Sequence, residues 1–164
     1  AIPMPDTCVC SLAEPLPQVE LPCWVKRGDG CTQQEGDITL CHDTDALNAA
    51  VKRLAANGAA TAVLSRHTDG QLFKFYGVSG AEGFFRAYDT DRQRMPDGEL
   101  HRNLEHQCRR AAATLGLDVW GGDCVIDKDG GIGIIDFNDW HSFGLCRDEA
   151  AAAIAHRIDE ILHL

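Results

Sequence analysis

The sequence predicts an α+β protein built on antiparallel sheets, and three observations support this. The composition, 45% apolar and 24% charged over 164 residues, is that of an ordinary globular chain and not a disordered one. Runs of strand length alternate with amphipathic stretches in the order strand, strand, helix, three strands, helix, two strands, helix. Two dipeptides, Asp69-Gly70 and Asp129-Gly130, are turn signals between neighbouring strand candidates. The length suits one compact domain or two small lobes sharing a core.

Residues 1–22 carry five of the six prolines and read as an extended lead-in segment. Cys23-Trp24-Val25-Lys26 is a short apolar strand ending in a charge, followed by a polar, Gly-rich stretch from Gly28 to Gly36. Ile38–Cys41 is a second strand. Asp43 or Thr44 then caps a helix whose apolar stripe is Leu47, Ala50, Val51 and Leu54, stopped by Asn57-Gly58. Thr61–Leu64 and Leu72–Val78 read as strands joined by the Asp69-Gly70 turn, and Phe84–Tyr88 as a shorter strand. Asp97–Leu115 is the longest predicted helix, with Leu100, Leu104, Cys108, Ala111 or Ala112 and Leu115 on one stripe and Gly116 as its stop. Asp123–Asp127 and Ile132–Asn138 are two strands around Lys128-Asp129-Gly130-Gly131. A helix from about Arg147, carrying Ala150, Ala151, Ile154, Ile158, Ile161 and Leu162, closes the sequence.

Charge and cysteine content exclude several function classes. With 15 basic against 25 acidic residues, net −10, no basic run supplies the positive field that nucleic acid or an anionic membrane requires. A small anion needs local cations instead. No apolar run approaches the ~18–20 residues of a membrane span, and the first residues show no basic region leading into an apolar one, so no secretory signal is expected. The first residue is Ala, which reads as a processed chain or a portion of a longer one. Eight cysteines without a CxxC pair read as reduced thiols of a cytoplasmic protein, not as structural zinc. His101 and His106 lie five apart, off a common helical face, and belong to no HExxH motif.

The most informative stretch is GGDCVIDKDGGIGIIDFNDWHSF, residues 121–143. If Asp129-Gly130 is a two-residue turn, Asp123 lies opposite Asp136, Val125 opposite Ile134 and Asp127 opposite Ile132. Asn138 then shares the face of Asp136, above an apolar lower half of Val125, Ile132 and Ile134. Two carboxylates directly across a strand pair repel. Either one is protonated, or a cation sits between them, or the acids are simply solvated. Two carboxylates and an amide oxygen are the hard ligands that Mg²⁺ or Mn²⁺ prefers. Cys124 points to the opposite face and reads as core, and His141 as a surface residue or a neighbour of the ligands.

These residues resemble the ATP-grasp superfamily, in particular the ATP-binding domains of the glutathione synthetase type. In that family a hairpin of the form D-(x12)-[ED]-x-N supplies magnesium ligands, which implies that role for Asp123, Asp136 and Asn138. Leu21-Pro22-Cys23-Trp24-Val25-Lys26 is similar to the family's lysine strand, implying that Lys26 contacts ATP phosphates and that Gly28–Gly36 folds over them. Ser65, Arg66 and His67 stand where the family has its adenine hinge. Lys74 and Arg86 are the next cations for the transferred phosphoryl group, and Trp24 and Ile135 are apolar candidates for an adenine pocket. IPMPDT resembles the link that follows the family's N-terminal domain. The implied organisation is a lead-in at 1–22, a small lobe at 23–80 and a larger lobe at 81–164, enclosing a nucleotide cleft.

Departures from the pattern bear on the reaction. Ser65 and Arg66 replace the hinge acid of many members, with Asp69 as a substitute for the ribose contact. Gly121 stands where many carboxylate–amine ligases carry arginine, and Asn138-Asp139-Trp140-His141-Ser142-Phe143 replaces the usual Asn-x-x-Pro-Gly. The resemblance implies ATP and Mg²⁺ (or Mn²⁺) as cofactors, a small-molecule substrate, and an N-terminal domain of the same protein as partner. The expected function is the ATP-binding portion of a ligase that forms an acyl phosphate from a carboxylate. The alternatives are a kinase acting on a small-molecule hydroxyl, which the IDFN stretch favours by its similarity to inositol phosphate kinases, and a non-catalytic nucleotide- or metal-binding module.

Overall fold

A computed structural model of the chain describes residues 2–30, 34–81 and 83–163. They form two compact units, a small one of residues 5–68 and a large one of residues 2–4 and 69–163. Each is a four-stranded, wholly antiparallel sheet with helical cover.

In the small unit, β1 (Thr7–Ser11), β2 (Cys23–Arg27), β3 (Ile38–Cys41) and β4 (Thr61–Arg66) lie in the order β1-β4-β2-β3, with α1 (Thr44–Ala56) between β3 and β4 in sequence. The Asp43 carboxylate accepts from the Ala46 amide at 2.7 Å and caps α1. Leu47, Ala50 and Leu54 of α1 bury against Cys23, Val25, Ala62 and Leu64, the alternate residues of β2 and β4. Trp24 and Lys26 therefore occupy the face of the sheet turned away from α1.

The lead-in segment is not wholly extended coil. Thr7–Ser11 pairs with β4 along its full length, and as an edge strand it tolerates flanking prolines that a central strand would not. The boundary also differs from the expected one after residue 80. Leu72–Val78 belongs to β5 (Gln71–Val78), which pairs with β6 (Phe84–Asp89) and β7 (Val119–Ile126) and not with β4. Asp69-Gly70 thus joins two units and is not a hairpin turn. The large sheet runs β6-β5-β7-β8, with β8 at Ile132–Asp139.

One face of this large sheet buries α2 (Glu99–Leu115) through Leu104, Cys108 and Ala112 against Phe75, Phe85, Trp120, Cys124 and Ile134. The other receives α3 (Arg147–Leu162) through Ala150 on Tyr76, Val78, Phe84 and Tyr88. The stripes end early: Leu115, Ile158, Ile161 and Leu162 are exposed.

The β7–β8 hairpin departs from a two-residue turn and then recovers. Gly130 N–H donates to Asp127 O at 3.1 Å, and Asp127 N–H to Gly131 O at 2.9 Å, which makes a three-residue loop with Gly130 left-handed at φ 83°. The lower half is accordingly one residue out of the expected register, with Ile126 opposite Ile132 and Cys124 opposite Ile134. A bulge then inserts Ile135, and above it Asp123 faces Asp136. Of the expected apolar lower half on the acids' own face, Val125 stays in place, two residues from Asp123, while the bulge turns Ile132 and Ile134 into the α2 core.

The turn after β6 has the same construction. Asp89 N–H donates to Gln93 O at 3.0 Å, Arg92 N–H to Asp89 O at 3.0 Å, and the Asp89 carboxylate accepts from Gln93 N–H at 2.8 Å. In the β7–β8 turn the Asp127 carboxylate accepts from Gly131 N–H at 2.7 Å in the same way. The left-handed position, given to glycine in one turn, is given to Arg92 at φ 63° in the other. That conformation costs an L-residue with a Cβ about 1–2 kcal/mol. Arg92→Gly is therefore expected to raise stability by roughly 0.5–1 kcal/mol, once glycine's added freedom in the unfolded chain is subtracted. Urea unfolding checks this, and a fall in the midpoint would contradict it.

Candidate functional site

The face of the large sheet that receives α3 at one side stays open toward β8, and two rows cross all four of its strands. Antiparallel register places Tyr88, Lys74, Asp123 and Asp136 side by side in one row, and Arg86, Tyr76, Gly121 and Asn138 in the next. Residues two apart on one strand share a face, so the three acidic-hairpin residues meet on one surface with a lysine beside them.

The repulsion between the facing acids has a local answer. Lys74 Nζ lies 2.7 Å from Asp123 Oδ1 in a half-exposed ion pair. Asn138 donates its Nδ2–H to Asp136 Oδ2 at 2.6 Å. A lysine one strand away thus serves one acid, and an amide serves the other.

Gly121 makes room for His141. A Cβ built on Gly121 would stand 2.7 Å from both Cβ and Cδ2 of His141 and 2.9 Å from the Phe75 carbonyl oxygen. The backbone at Trp140 is left-handed, φ 43°, and the His141 ring that follows it stacks on Tyr76 with centroids 5.5 Å apart. Burial, together with the neighbouring Lys74 ammonium, holds the His141 imidazolium below its ordinary range, against the opposing pull of Asp123 and Asp136. A neutral ring accepts at Nε2 from the Lys74 ammonium at 3.4 Å. Burial above all, with help from Cys146 and Asp123, pushes the Tyr76 phenol up to about 12, so it stays protonated. Lys74, Tyr76, Asp123 and His141 line a cavity of about 510 Å³, together with Leu72, Asp89, Arg92 and Leu145.

Arg86, across the sheet from Tyr76, turns to α3: its Nε donates to Glu149 at 2.9 Å, and its guanidinium lies 4.9 Å from the Phe84 ring centre. It is not among the residues lining this cavity. Ile135 is the bulge residue of β8. Cys124 is fully buried, and burial pushes its thiol up to about 12, in keeping with a core role.

In the small unit, Lys26 pairs with Val63 and Ile38 in the sheet. Ser65 Oγ hydrogen-bonds Thr7 Oγ1 at 2.9 Å, and Arg66 is exposed, with Glu20 at 3.2 Å and Asp6 at 4.0 Å. His67 Nδ1 accepts from Trp24 Nε1–H at 3.1 Å. The Gly-rich stretch is anchored where it leaves β2 by an Arg27–Asp29 ion pair of 2.9 Å. Its residues 31–33 lie outside the described residues.

Among the described residues, no group of three or more His, Cys, Asp or Glu side chains converges as a metal site. Asp123, Asp136 and Asn138 instead form a hard-oxygen set short of a complete shell, with Asp136 and Asn138 exposed. That fits Mg²⁺, which is held by one or two carboxylates and keeps positions for water and phosphate. Sequence reasoning missed Tyr76, because a tyrosine in a strand reads as core, and Arg92, because nothing local marks its backbone conformation.

A direct consequence of the Gly121–His141 contact is testable. Gly121→Ala should expel the ring at a cost of about 1–3 kcal/mol, since a histidine Cβ and a backbone carbonyl yield poorly. The NMR titration of His141 should move up toward its ordinary 6.5 as its burial is lost. In the wild-type protein the sign is fixed by the depressed pKa: the stability His141 contributes is complete above about pH 6.5 and is lost as pH falls through the lower folded value. His141→Gln should flatten that acid limb of the stability profile, and an unchanged limb would contradict the neutral, buried ring.

No protein-family model matches the sequence, and no curated protein matches it. The fold does have solved counterparts. A D-alanine–D-alanine ligase from Bacillus anthracis superposes with a TM-score of 0.68 at 14% identity, over 84% of this chain and 51% of that one. An L-amino acid ligase from Bacillus licheniformis gives 0.66 at 17% identity, over 88% and 38%. The ADP complex of N5-carboxyaminoimidazole ribonucleotide synthetase gives 0.66 at 13%, over 87% and 42%. The chain spans half or less of the length of the latter two and about half of the first. These structures are ATP-grasp enzymes, and the sheet orders, the acidic hairpin and the superpositions together establish that this chain has the ATP-grasp fold.

Proposed function

We propose that this chain binds Mg·ATP and serves an ATP-dependent ligase, in which a substrate carboxylate takes the γ-phosphoryl group to form an acyl phosphate. The observation that carries this reading is the row Lys74–Asp123–Asp136 with Asn138 beside it, on the open face of the large sheet. Likeness of fold to a D-alanine–D-alanine ligase from Bacillus anthracis complexed with ATP, at TM-score 0.64 and 16% identity, supports the nucleotide half.

Asp123, Asp136 and Asn138 would hold Mg²⁺, which supplies charge neutralisation of the phosphates. In this reading Lys26 contacts the phosphates, and Ser65, Arg66 and His67 border the adenine. Transfer forms one bond, carboxylate oxygen to γ-phosphorus, and breaks the β–γ bridging bond, with ADP leaving. The protein contributes position and fixed charge and no nucleophile of its own. A partner domain and a small-molecule acid complete the proposed enzyme. Gly121 favours a second reading, transfer to a hydroxyl, because that position carries no guanidinium to steady an acyl-transfer transition state. Hydroxylamine separates the two, since only an acyl phosphate yields a hydroxamate.

Thermal unfolding tests the shared half. Mg·ATP at a hundred times its dissociation constant stabilises a protein by about 2.7 kcal/mol, so a rise of about 5–10 °C is expected for a chain of this size. Without Mg²⁺ the rise should shrink, and in Asp136→Asn its Mg²⁺ dependence should vanish. A magnesium effect equal in the variant would remove the assigned ligands.

Lys26→Ala should weaken ATP tenfold to a hundredfold and leave adenosine unchanged, as expected for one charge-assisted contact of about 1.5–3 kcal/mol. Equal losses for ATP and adenosine would show that Lys26 acts through folding.

A further inference from the structure

Nothing in the turn after β6 calls for an arginine. Its twin at Asp127–Gly131 closes with equivalent hydrogen bonds and gives the left-handed position to Gly130, whereas here Arg92 holds it. A side chain kept on disfavoured backbone is a pointer to what that side chain does. The Arg92 side chain lines the 510 Å³ cavity beside Lys74, Asp123 and His141. It makes no hydrogen bond or ion pair with any described residue, whereas the other charges on that wall are engaged. Lys74 pairs with Asp123, and the Asp89 carboxylate accepts from Gln93 N–H. Two exposed apolar side chains, Leu72 and Leu145, border the same space.

An unpaired guanidinium next to exposed leucines is complementary to an amphiphilic acid. The planar fork of arginine matches both oxygens of a carboxylate, and leucine methyl groups gain by covering an apolar body.

We propose that Arg92 binds the carboxylate of the acceptor substrate, an acid whose apolar part rests on Leu72 and Leu145. That the acid is an acceptor rests on the ATP-dependent reading above; that an acid binds here does not.

The probe is hexanoate, titrated into the labelled protein and followed by NMR at the Leu72 and Leu145 methyl groups and the Arg92 Nε–H. Saturable shifts at these three sites are expected, with hexanamide, which lacks the charge, producing none. R92G should weaken hexanoate at least tenfold. The raised unfolding midpoint expected for the same variant certifies that it is folded. Equal affinity in R92G, equal binding of hexanamide, shifts mapping elsewhere, or no saturable hexanoate binding by the wild-type protein would each overturn the site.

Because a guanidinium also takes phosphoryl oxygens, the Mg·ATP thermal shift is measured alongside. Its loss in R92G with hexanoate binding intact would reassign Arg92 to a nucleotide phosphate and overturn the proposal. A wild-type protein that binds hexanoate but shows no Mg·ATP shift would remove the nucleotide reading and leave the acid site standing.

Discussion

Two carboxylates facing each other across neighbouring strands repel, and much of the large unit is arranged around that constraint. Strands in a sheet stand about 4.8 Å apart, close enough that Asp123 and Asp136 need a counter-charge or a hydrogen-bond donor. Lys74 can serve because β5 is the other neighbour of β7 and its register puts the lysine directly beside Asp123. Its Nζ is shared between Asp123 Oδ1 and the neutral Nε2 of His141. That second contact requires His141 close to the sheet, which requires a residue without a side chain at position 121. Tyr76, the neighbour of Gly121 in the row, supplies the ring on which His141 stacks. Charge, small residue and aromatic platform are therefore one linked arrangement.

The bulge at Ile135 settles which face the acids occupy. In a regular strand Ile132, Ile134 and Asp136 would point the same way, and either the acid would enter the α2 core or the isoleucines would leave it. One inserted residue resolves the conflict, sending Ile134 to the core and Asp136 and Asn138 to the open face. The same insertion offsets the extra residue of the three-residue loop, so Asp123 still meets Asp136.

Much of this was legible in the sequence, and the misses have physical causes. The register read from a two-residue Asp129-Gly130 turn set Asp123 opposite Asp136 correctly because two irregularities cancelled, but it placed Ile132 and Ile134 on the wrong face because neither irregularity has a local signature. The helices were readable from their caps and stripes, as Asp43 and Gly116 illustrate. β1 was hidden by prolines that an edge strand tolerates. Asp69-Gly70 looked like a hairpin turn because a turn dipeptide reports a local bend, not which sheet the next strand joins. Arg86 was a candidate cation for the phosphoryl group through the family resemblance, yet its length lets it reach Glu149 on α3, a contact that depends on a helix sixty residues downstream.

A net charge of −10 and a site for anions are compatible for a reason of length scale. At physiological ionic strength the screening length is about 8 Å, so most of the acidic surface contributes little at the cavity. What counts there are the charges on its walls. Lys74 and Asp123 cancel as a pair, and the Asp89 carboxylate accepts from the peptide backbone in its own turn. With Arg92 the charges on that wall sum to zero, so the cavity does not share the acidic balance of the chain, and the Arg92 guanidinium is left without a carboxylate of its own. The global balance, which opposes a polyanion spanning many screening lengths, does not govern a ligand small enough to sit within one.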